Sequence, residues 1–322
     1  MIAPMREATS GAGDRDARAK INLGLAVTGR RPDGYHELRS VFLRIGLSDR
    51  VEARSVPGGF FDSLSIGGDP ECPVDGNLVL RATAELRARL ASDLPPLAFR
   101  LHKAIPMDAG LAGGSSDAAA ALYVAAKAWG IGLAPEMRHS VAAELGADVP
   151  FFAADLPGAL IGGVGEQLEA LPAVRGLGVL LVSPHIRLGT REAFGAFDAM
   201  APSGRAEESG AVVEGLASAL RIGMDGGALA EWALALRDAN DLWPAAVALA
   251  PILGEVRTVL EEQLARPVLL TGSGSTLFAL YPSSGDAADA GRSLAALALP
   301  ELAGARLSAV DEVGPDPAWR FP

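Results

Sequence analysis

A strand, a glycine-rich loop and an alanine-rich helix follow one another near the middle of this chain. Residues 97–103 alternate apolar and polar side chains, which predicts a strand, and residues 118–129 predict a helix. The loop between them contains GLAGGSSD at residues 110–117. Glycines let a backbone approach a ligand closely, and Ser115 or Ser116 is a candidate cap for the helix. Because a helix N-terminus offers free N–H groups and a positive dipole end, this unit predicts either a phosphate site or tight helix–strand packing.

The composition excludes several classes of protein. The net charge of the 322 residues is −11, which argues against a nucleic-acid partner but permits an anionic small ligand at a locally positive site. The lone Cys72 forms no internal disulfide and no thiolate zinc cluster. The four histidines include no HExxH pair, and no Gly-Lys-Ser/Thr follows the glycine-rich run, so neither a zinc protease nor a Walker A loop is indicated.

The ends of the chain and its composition predict the domain organisation. Residues 1–16 are small and polar, without a secretory signal, and are expected to be a disordered leader. No apolar stretch is long enough to span a membrane, so a cytoplasmic protein without a membrane partner is expected. A change in composition divides residues 17–172 from residues 173–322. Strands and helices alternate without a strict βαβ pattern, which indicates an α+β fold in both parts.

Two segments before and after the loop carry further candidate residues. Residues 19–27 alternate as a strand that places Lys20 and Asn22 together on the face turned away from the core. Asp148 precedes Val-Pro-Phe-Phe, and Pro150 is expected to keep the residue before it extended. Asp148 is therefore either a general base held in a stiff segment or an ordinary turn aspartate. Lys20 is either the partner of Asp148 or an ordinary solvated lysine.

The same patterns of apolar, polar and small residues predict two further strands and a loop. Two separate strands are expected over residues 37–45 and 50–56. Residues 271–276, which read TGSGST, lie between two predicted strands. Their small side chains suit either a hairpin turn or close approach to a phosphate.

The order of these segments resembles that of the GHMP kinase superfamily, named for galactokinase, homoserine kinase, mevalonate kinase and phosphomevalonate kinase. The three motifs of that superfamily are matched by residues 19–23, 106–117 and 270–278. The resemblance implies a two-domain α+β fold. Its N-terminal, ATP-binding domain is like the second domain of ribosomal protein S5, and its C-terminal domain is ferredoxin-like. The branch that phosphorylates 4-diphosphocytidyl-2-C-methyl-D-erythritol, in the non-mevalonate isoprenoid pathway, is similar in residues 30–38, 146–151 and 240–242.

The resemblance also implies a role for individual residues. Asp148 matches the catalytic base, and Lys20 matches its partner beside the transferred phosphoryl group. The loop around the ATP phosphates is matched by Pro106, Met107, Asp108, Ala109, Gly110, Leu111, Ala112, Gly113, Gly114, Ser115 and Ser116. The acceptor is expected at Asn22, Tyr35, His36, Thr190, Phe194, Gly272, Ser273 and Gly274. ATP and Mg²⁺ are the implied cofactors, with small-molecule substrates as the only partners; the metal ligands and the oligomeric state are not indicated.

The sequence departs from the family pattern at two positions, and three alternative functions stay open. Ala112 stands where the family usually has glycine, and Trp243 stands where an acidic residue is usual. A related kinase acting on homoserine or mevalonate, a non-catalytic nucleotide- or sugar-binding regulator and a purely structural protein remain alternatives. The pair Tyr35 and His36 favours an acceptor with a base, since an aromatic ring stacks on a pyrimidine and an imidazole bonds its polar edge. The presence of both Lys20 and Asp148 favours catalysis.

Overall fold

The computed structural model describes residues 11–90, 93–200 and 204–311, and its first half is built on a six-stranded sheet. The elements of this half are β1 Ala12–Arg30, β2 His36–Ser55, β3 Ser63–Gly67, α1 Leu78–Leu90, β4 Leu97–His102, α2 Gly113–Trp129, α3 Pro135–Leu145, α4 Val149–Ala153, β5 Gly158–Gly162 and β6 Gln167–Leu171. The sheet order is β3-β4-β2-β5-β6, and β1 pairs antiparallel with β2. The long strand β2 thus pairs with β1, β4 and β5 and organises this half.

The second half contains a four-stranded antiparallel sheet covered by helices. Its elements are β7 Gly178–Ser183, α5 Thr190–Asp198, α6 Arg205–Ile222, α7 Gly226–Glu231, α8 Ala233–Leu236, α9 Trp243–Leu249, α10 Ile252–Leu264, β8 Leu269–Leu270, β9 Leu277–Tyr281, α11 Ser284–Ala296, the 3₁₀ turn Pro300–Leu302 and β10 Arg306–Asp311. The sheet order is β10-β7-β9-β8. The expected division near residue 172 falls in the connection between β6 and β7.

The apolar residues of the two halves form a shared core. Ile21 of β1 packs in the same buried cluster as Leu181 of β7, Leu216 of α6 and Phe278 of β9. A second cluster lies around α2, whose many alanines are buried against β1, β2 and α1. Small side chains allow this close approach of helix and sheet. Within the described ranges no single helix is long and apolar enough to cross a membrane. Helices α9 and α10 have that length and apolar character only when counted together, and they are bent by 117° relative to each other.

Most predicted elements are present, and four expectations are wrong. Residues 12–16 belong to β1, so the leader is not disordered over that part; residues 1–10 lie outside the described residues. The two strands expected over 37–45 and 50–56 are one continuous strand, β2. Residues 149–153 are helical and not extended, because Pro150 occupies the first turn of α4, where no N–H is required.

The fourth correction concerns the start of α2. Neither Ser115 nor Ser116 caps this helix, because both lie inside it. The N-cap position belongs to Ala112, which has φ 56° and ψ 35° and no side-chain cap. The glycine-rich run therefore enters the helix through a left-handed residue, earlier than the sequence pattern predicts.

Candidate functional site

A cleft of about 940 Å³ lies along β1, β2, the loop before α2 and the start of α5. Both halves of the chain line it. The predicted residues that border it are Lys20, Asn22, Tyr35, His36, Pro106, Met107, Asp108, Ala109, Gly110, Ala112, Gly113, Gly114, Ser115, Asp148, Thr190, Phe194, Gly272 and Ser273. A volume of this size accommodates two small substrates side by side or one large one.

Lys20 and Asp148 face each other across part of this cleft. The Lys20 Nζ lies 3.8 Å from Asp148 Oδ2. It also donates to Asn22 Oδ1 at 2.6 Å and to the Gly110 carbonyl at 3.1 Å. The alternation of β1 turns both Lys20 and Asn22 toward the cleft while Ile21 enters the core, as the sequence indicates. The Asp148 side chain is 30% exposed, so its carboxylate is open to a ligand in the cleft.

The surroundings of Lys20 set its electrostatics. The side chain is 4% exposed, and its ammonium lies 4.7 Å from the centre of the Phe42 ring. Burial lowers the pKa of Lys20, while the negative charge of Asp148 opposes this change. An anionic phosphoryl group placed beside Lys20 would favour the charged ammonium, since opposite charges interact strongly where water is excluded.

Asn22 connects Lys20 to a buried hydrogen-bond chain. Its Nδ2 donates to Ser40 Oγ at 2.9 Å, and that hydroxyl donates to the Gly24 carbonyl at 2.6 Å. The backbone N–H of Asn22 donates to Thr271 Oγ1 at 3.1 Å. Asn22 and Ser40 are almost fully buried, so these bonds fix the position of the Lys20 partner rigidly.

The glycine-rich loop joins the two halves of the chain. Lys20 N donates to the Leu111 carbonyl, while from the second half Thr276 N donates to the Ala109 carbonyl and Leu188 N to the Asp108 carbonyl. Gly110 has φ +74°, and a Cβ there would lie 2.1 Å from the Thr271 carbonyl oxygen. Only glycine fits this crossing point of the two backbones.

The start of α2 offers backbone donors to the cleft. Gly113, Gly114 and Ser115 form its first turn and line the cleft, and no side chain caps the helix. The first N–H groups of a helix have no intrahelical partner, and the helix dipole places positive charge there. This end of the cleft is therefore suited to an anion such as a phosphate.

Aromatic rings and a histidine form the opposite end of the cleft. His36, the first residue of β2, stacks on Phe194 of α5 with ring centroids 4.7 Å apart and an interplanar angle of 18°. Its Nε2 lies 2.7 Å from Asp198 Oδ1 on the same helix. Tyr35 is 65% exposed at the mouth of the cleft. This group of rings and polar edges is suited to a planar heterocycle.

Thr190 and Ser273 connect the wall of the cleft to the TGSGST turn. Thr190 Oγ1 and Ser273 Oγ are 3.3 Å apart. The turn spans β8 and β9, with Thr271 N donating to the Thr276 carbonyl, so it is the hairpin that one reading predicts, and Gly272 and Ser273 also face the cleft. The predicted hairpin is confirmed, and close approach to a phosphate stays a prediction.

Three predicted residues lie outside the cleft lining. Leu111 is fully buried in the shared core, and Ser116 is a buried residue of α2 itself. Gly274 packs toward Leu188 and Leu270. These positions shape the loops that the resemblance points to, but their side chains do not reach the space in which a ligand would lie.

Sequence reasoning missed several residues of the site. Lys103, Asp49 and Asp117 form a buried ion-pair cluster below the glycine-rich loop. Asp198 holds His36, and Asn240 donates to the Leu270 and Gly272 carbonyls and so supports the TGSGST turn. These contacts join residues that are not neighbours in the chain, and no local spacing signals them. Only Asp117, at the end of the glycine-rich motif, and Asn240, in a segment resembling the kinases, carried a hint.

Family models match two parts of the chain. The model described as "GHMP kinases N terminal domain" matches residues 77–156, and the model described as "GHMP kinases C terminal" matches residues 216–298. The first includes the glycine-rich loop and Asp148, and the second includes the TGSGST turn.

Curated relatives are similar over most of the chain. The 4-diphosphocytidyl-2-C-methyl-D-erythritol kinase of Pelotomaculum thermopropionicum is 40% identical over 82% of this chain and 87% of its own length. The kinase of the same name from Gluconacetobacter diazotrophicus is 39% identical over 85% of this chain and 88% of its own length.

Solved structures are similar in fold. A crystal structure of 4-(cytidine 5'-diphospho)-2C-methyl-D-erythritol kinase superposes with a TM-score of 0.67 at 31% identity, over 92% of this chain and 99% of the other. Homoserine kinase from Cytophaga hutchinsonii gives a TM-score of 0.66 at 17% identity, over 98% and 99%. The second likeness shows the fold alone.

Proposed function

The chain belongs to the GHMP kinases, in the family of the 4-diphosphocytidyl-2-C-methyl-D-erythritol kinases, and we propose on this premise that it phosphorylates the 2-hydroxyl of that substrate with ATP. The single observation that carries the assignment to this cleft is the Lys20–Asp148 pair, 3.8 Å apart, between a phosphate-suited end and an aromatic end. The reaction belongs to the non-mevalonate isoprenoid pathway, and we place the enzyme in the cytoplasm.

In our proposal Asp148 and Lys20 serve the transfer itself. The acceptor hydroxyl oxygen forms a bond to the γ-phosphorus as the bond from that phosphorus to the β–γ bridging oxygen breaks, and ADP leaves. Asp148 takes the hydroxyl proton, and Lys20 offsets negative charge on the transferring group. Asn22 and the Gly110 carbonyl hold the ammonium in place at 2.6 and 3.1 Å. Catalysis then depends mainly on positioning and electrostatics.

In our proposal each end of the cleft binds a different substrate. The N-terminus of α2 and the loop 106–115 receive the ATP phosphates, and the acceptor lies toward β2 and α5. The base of the acceptor binds at Tyr35, His36 and Phe194, whose rings are grouped at that end. Gly272 and Ser273 also line the cleft, and we assign the acceptor diphosphate to them.

We propose that Mg²⁺ enters with ATP as the Mg·ATP complex. Among the described residues no group of three His, Cys, Asp or Glu side chains is arranged to hold a metal ion, so the chain's own donors do not fit a resident metal centre. Mg²⁺ retains several waters and binds substrate phosphates readily, which makes such a centre unnecessary. When bound, it would screen phosphate charge.

A coupled ADP-release assay with Mg·ATP tests the proposal. It compares 4-diphosphocytidyl-2-C-methyl-D-erythritol with the same acceptor lacking its cytidine monophosphate, and with homoserine and mevalonate. We expect turnover with the intact acceptor alone. Turnover with homoserine or mevalonate instead would retain the GHMP kinase family and overturn the substrate. Nucleotide binding without turnover on any acceptor would favour a regulatory protein.

A further inference from the structure

Three buried charged side chains lie directly below the glycine-rich loop. Asp49 of β2, Lys103 just after β4 and Asp117 of α2 are exposed by only 1%, 6% and 3%. Lys103 Nζ donates to Asp117 Oδ2 at 2.8 Å and forms an ion pair with Asp49. A Cβ built on Gly113 would lie 3.3 Å from Lys103 Nζ, so the ammonium sits against the first residue of α2. We call these three residues the loop triad.

The loop triad fixes both sides of the loop. Asp49 Oδ1 accepts from Ala104 N at 2.5 Å and from Ile105 N at 2.8 Å, which holds the chain as it leaves β4. Lys103 then links Asp49 to Asp117 near the start of α2. The loop from residue 106 to residue 112 is therefore anchored where it begins and where it ends.

One oxygen of the loop triad has no partner. Both carboxylate oxygens of Asp49 accept hydrogen bonds, whereas Oδ1 of the buried Asp117 has no hydrogen-bond partner among the described residues. Asp117 borders the cleft. A buried carboxylate oxygen without a donor costs free energy, and a proton on the group or a ligand beside it removes that cost.

Burial of Asp117 favours its protonated carboxyl. Burial is the main cause that raises the pKa of Asp117 to about 8; the charge of Asp49 adds to it, and Lys103 opposes it. For Lys103, burial alone would lower the pKa, but Asp117 and Asp49 outweigh burial and raise it. A single ammonium thus serves two buried carboxyl groups.

The other elements around the loop triad add little charge. The Cys72 thiol, from the segment before α1, borders the same cleft, and burial raises its pKa. Helix α1 shares its buried cluster with α2 through the apolar residues Val79, Ala82 and Leu86. Asp49 from β2 and Lys103 from the end of β4 are therefore the charged groups that act on Asp117.

We propose that Asp117 couples nucleotide binding to proton uptake: its carboxylate takes one proton from solvent, and the resulting O–H at Oδ1 donates to a phosphate oxygen bound at the start of α2. This inference rests on the proposed function, because it assumes that the nucleotide phosphates bind there. A carboxylate would repel a polyphosphate, whereas the neutral acid bonds it. Asp117 is thus a further nucleotide-binding residue whose protonation state Lys103 and Asp49 set.

The direction in which nucleotide affinity changes with pH follows from the coupling of binding to proton uptake. Below about pH 8 Asp117 already carries its proton in the free protein, so nucleotide affinity changes little with pH. Above that pH the proton must be taken up on binding, and affinity falls by up to about tenfold per pH unit. ADP affinity that rises as the pH is raised above about 8 would contradict the proposal directly.

Calorimetric titration of the full chain with ADP at about pH 9 to 10 measures the uptake, in two buffers of different ionisation enthalpy; nucleotide phosphates no longer titrate there. We expect the wild type to take up close to one proton per ADP more than the Asp117→Asn variant, which mimics the neutral acid and keeps only the uptake of other groups such as Lys20. The control Asp286→Asn, in the first turn of α11 and away from the cleft, keeps the wild-type uptake. Equal uptake in Asp117→Asn and wild type, or ADP binding by the wild type without uptake, overturns the proposal.

A second variant protects the test if Asp117→Asn fails to fold. Lys103→Gln removes the charge that opposes protonation of Asp117, so the pH at which ADP affinity begins to fall moves upward; an unmoved profile overturns the proposal. The ADP-release assay separates the two hypotheses. Acceptor turnover without linked protons refutes only the role of Asp117, whereas absence of nucleotide binding in wild type refutes the proposed function as well.

Discussion

At the scale of the residue, Ala112 is a local conflict between sequence and conformation. It adopts the left-handed region, with φ 56° and ψ 35°, in which a Cβ is unfavourable by about 1 kcal/mol. The resemblance to the kinases places glycine at this position, and the left-handed backbone explains why glycine suits it. The alanine methyl group therefore affects folding free energy more directly than it affects chemistry.

We expect Ala112→Gly to stabilise the chain by about 1 kcal/mol or less, because relief of the left-handed alanine exceeds the extra entropy that glycine gives to the unfolded state. The urea midpoint at constant m-value measures the change. Gly130→Ala provides a matched control: it places alanine at another left-handed position, with φ 66°, and is expected to lower the midpoint. A lower midpoint for Ala112→Gly would contradict the reasoning.

Asp148 is the residue on which the proposed chemistry depends most. Asp148→Asn keeps the size of the side chain but cannot accept the hydroxyl proton, so kcat is expected to fall by roughly 10²- to 10⁴-fold. Binding of ADP, measured by titration calorimetry, is expected to remain close to that of wild type. Asp289→Asn on the exposed face of α11 is the control and should retain full turnover. Retained turnover in Asp148→Asn would remove the base assignment.

At the scale of the element, the sequence predicted regular segments well and long-range contacts poorly. Alternation located β4, predicted over residues 97–103, and the alanine-rich run located α2, predicted over residues 118–129. The continuity of β2 was not predictable, because the polar segment near residue 48 reads as a turn although it pairs with Arg18 of β1. Helix α4 was missed because Pro150 disfavours helix for its predecessor yet fits a first turn.

The TGSGST turn is an element that depends on one distant side chain. Asn240 is buried and donates to the Leu270 and Gly272 carbonyls at 3.1 and 3.0 Å. Asn240→Ala leaves these carbonyls without donors, so we expect a loss of about 1–3 kcal/mol in unfolding free energy. Because Gly272 faces the cleft, KM for the acceptor should also rise.

Urea unfolding and acceptor kinetics of Asn240→Ala measure these two effects. Thr258→Ala is the control, since it removes only an exposed hydroxyl bond to the Gly254 carbonyl and should alter neither quantity. An unchanged midpoint in Asn240→Ala would show that the turn holds its shape without the two amide bonds.

At the scale of the whole molecule, the shared core determines how the chain unfolds. Ile21 and Leu23 of the first half pack in one buried cluster with Leu181 and Phe278 of the second. Neither half can keep this apolar surface covered without the other. We therefore expect one thermal transition seen alike by near-ultraviolet circular dichroism and calorimetry. Two separated transitions would show that the halves are independent folding units.

The site was predictable from the sequence to the extent that it follows local motifs. The glycine-rich loop, Lys20, Asp148 and the Tyr35–His36 pair were found from segments, and all border one cleft. The loop triad was not found, because its members stand at positions 49, 103 and 117 and meet only through β2, β4 and α2. Residues that support a site from distant strands leave no periodic signal.

The length of β2 bears on how such enzymes diversify. In the proposed function, the strand begins with His36 at the end assigned to the acceptor and carries Asp49 below the end assigned to phosphate, which would place two functions at separate points of one element. Substitutions around His36 and α5 can alter which acceptor binds while Asp49 and α2 stay unchanged. Descendants of a common ancestor can thus acquire new substrates and inherit the same phosphoryl chemistry, and chimaeras exchanged at the start of β2 would do the same in the laboratory.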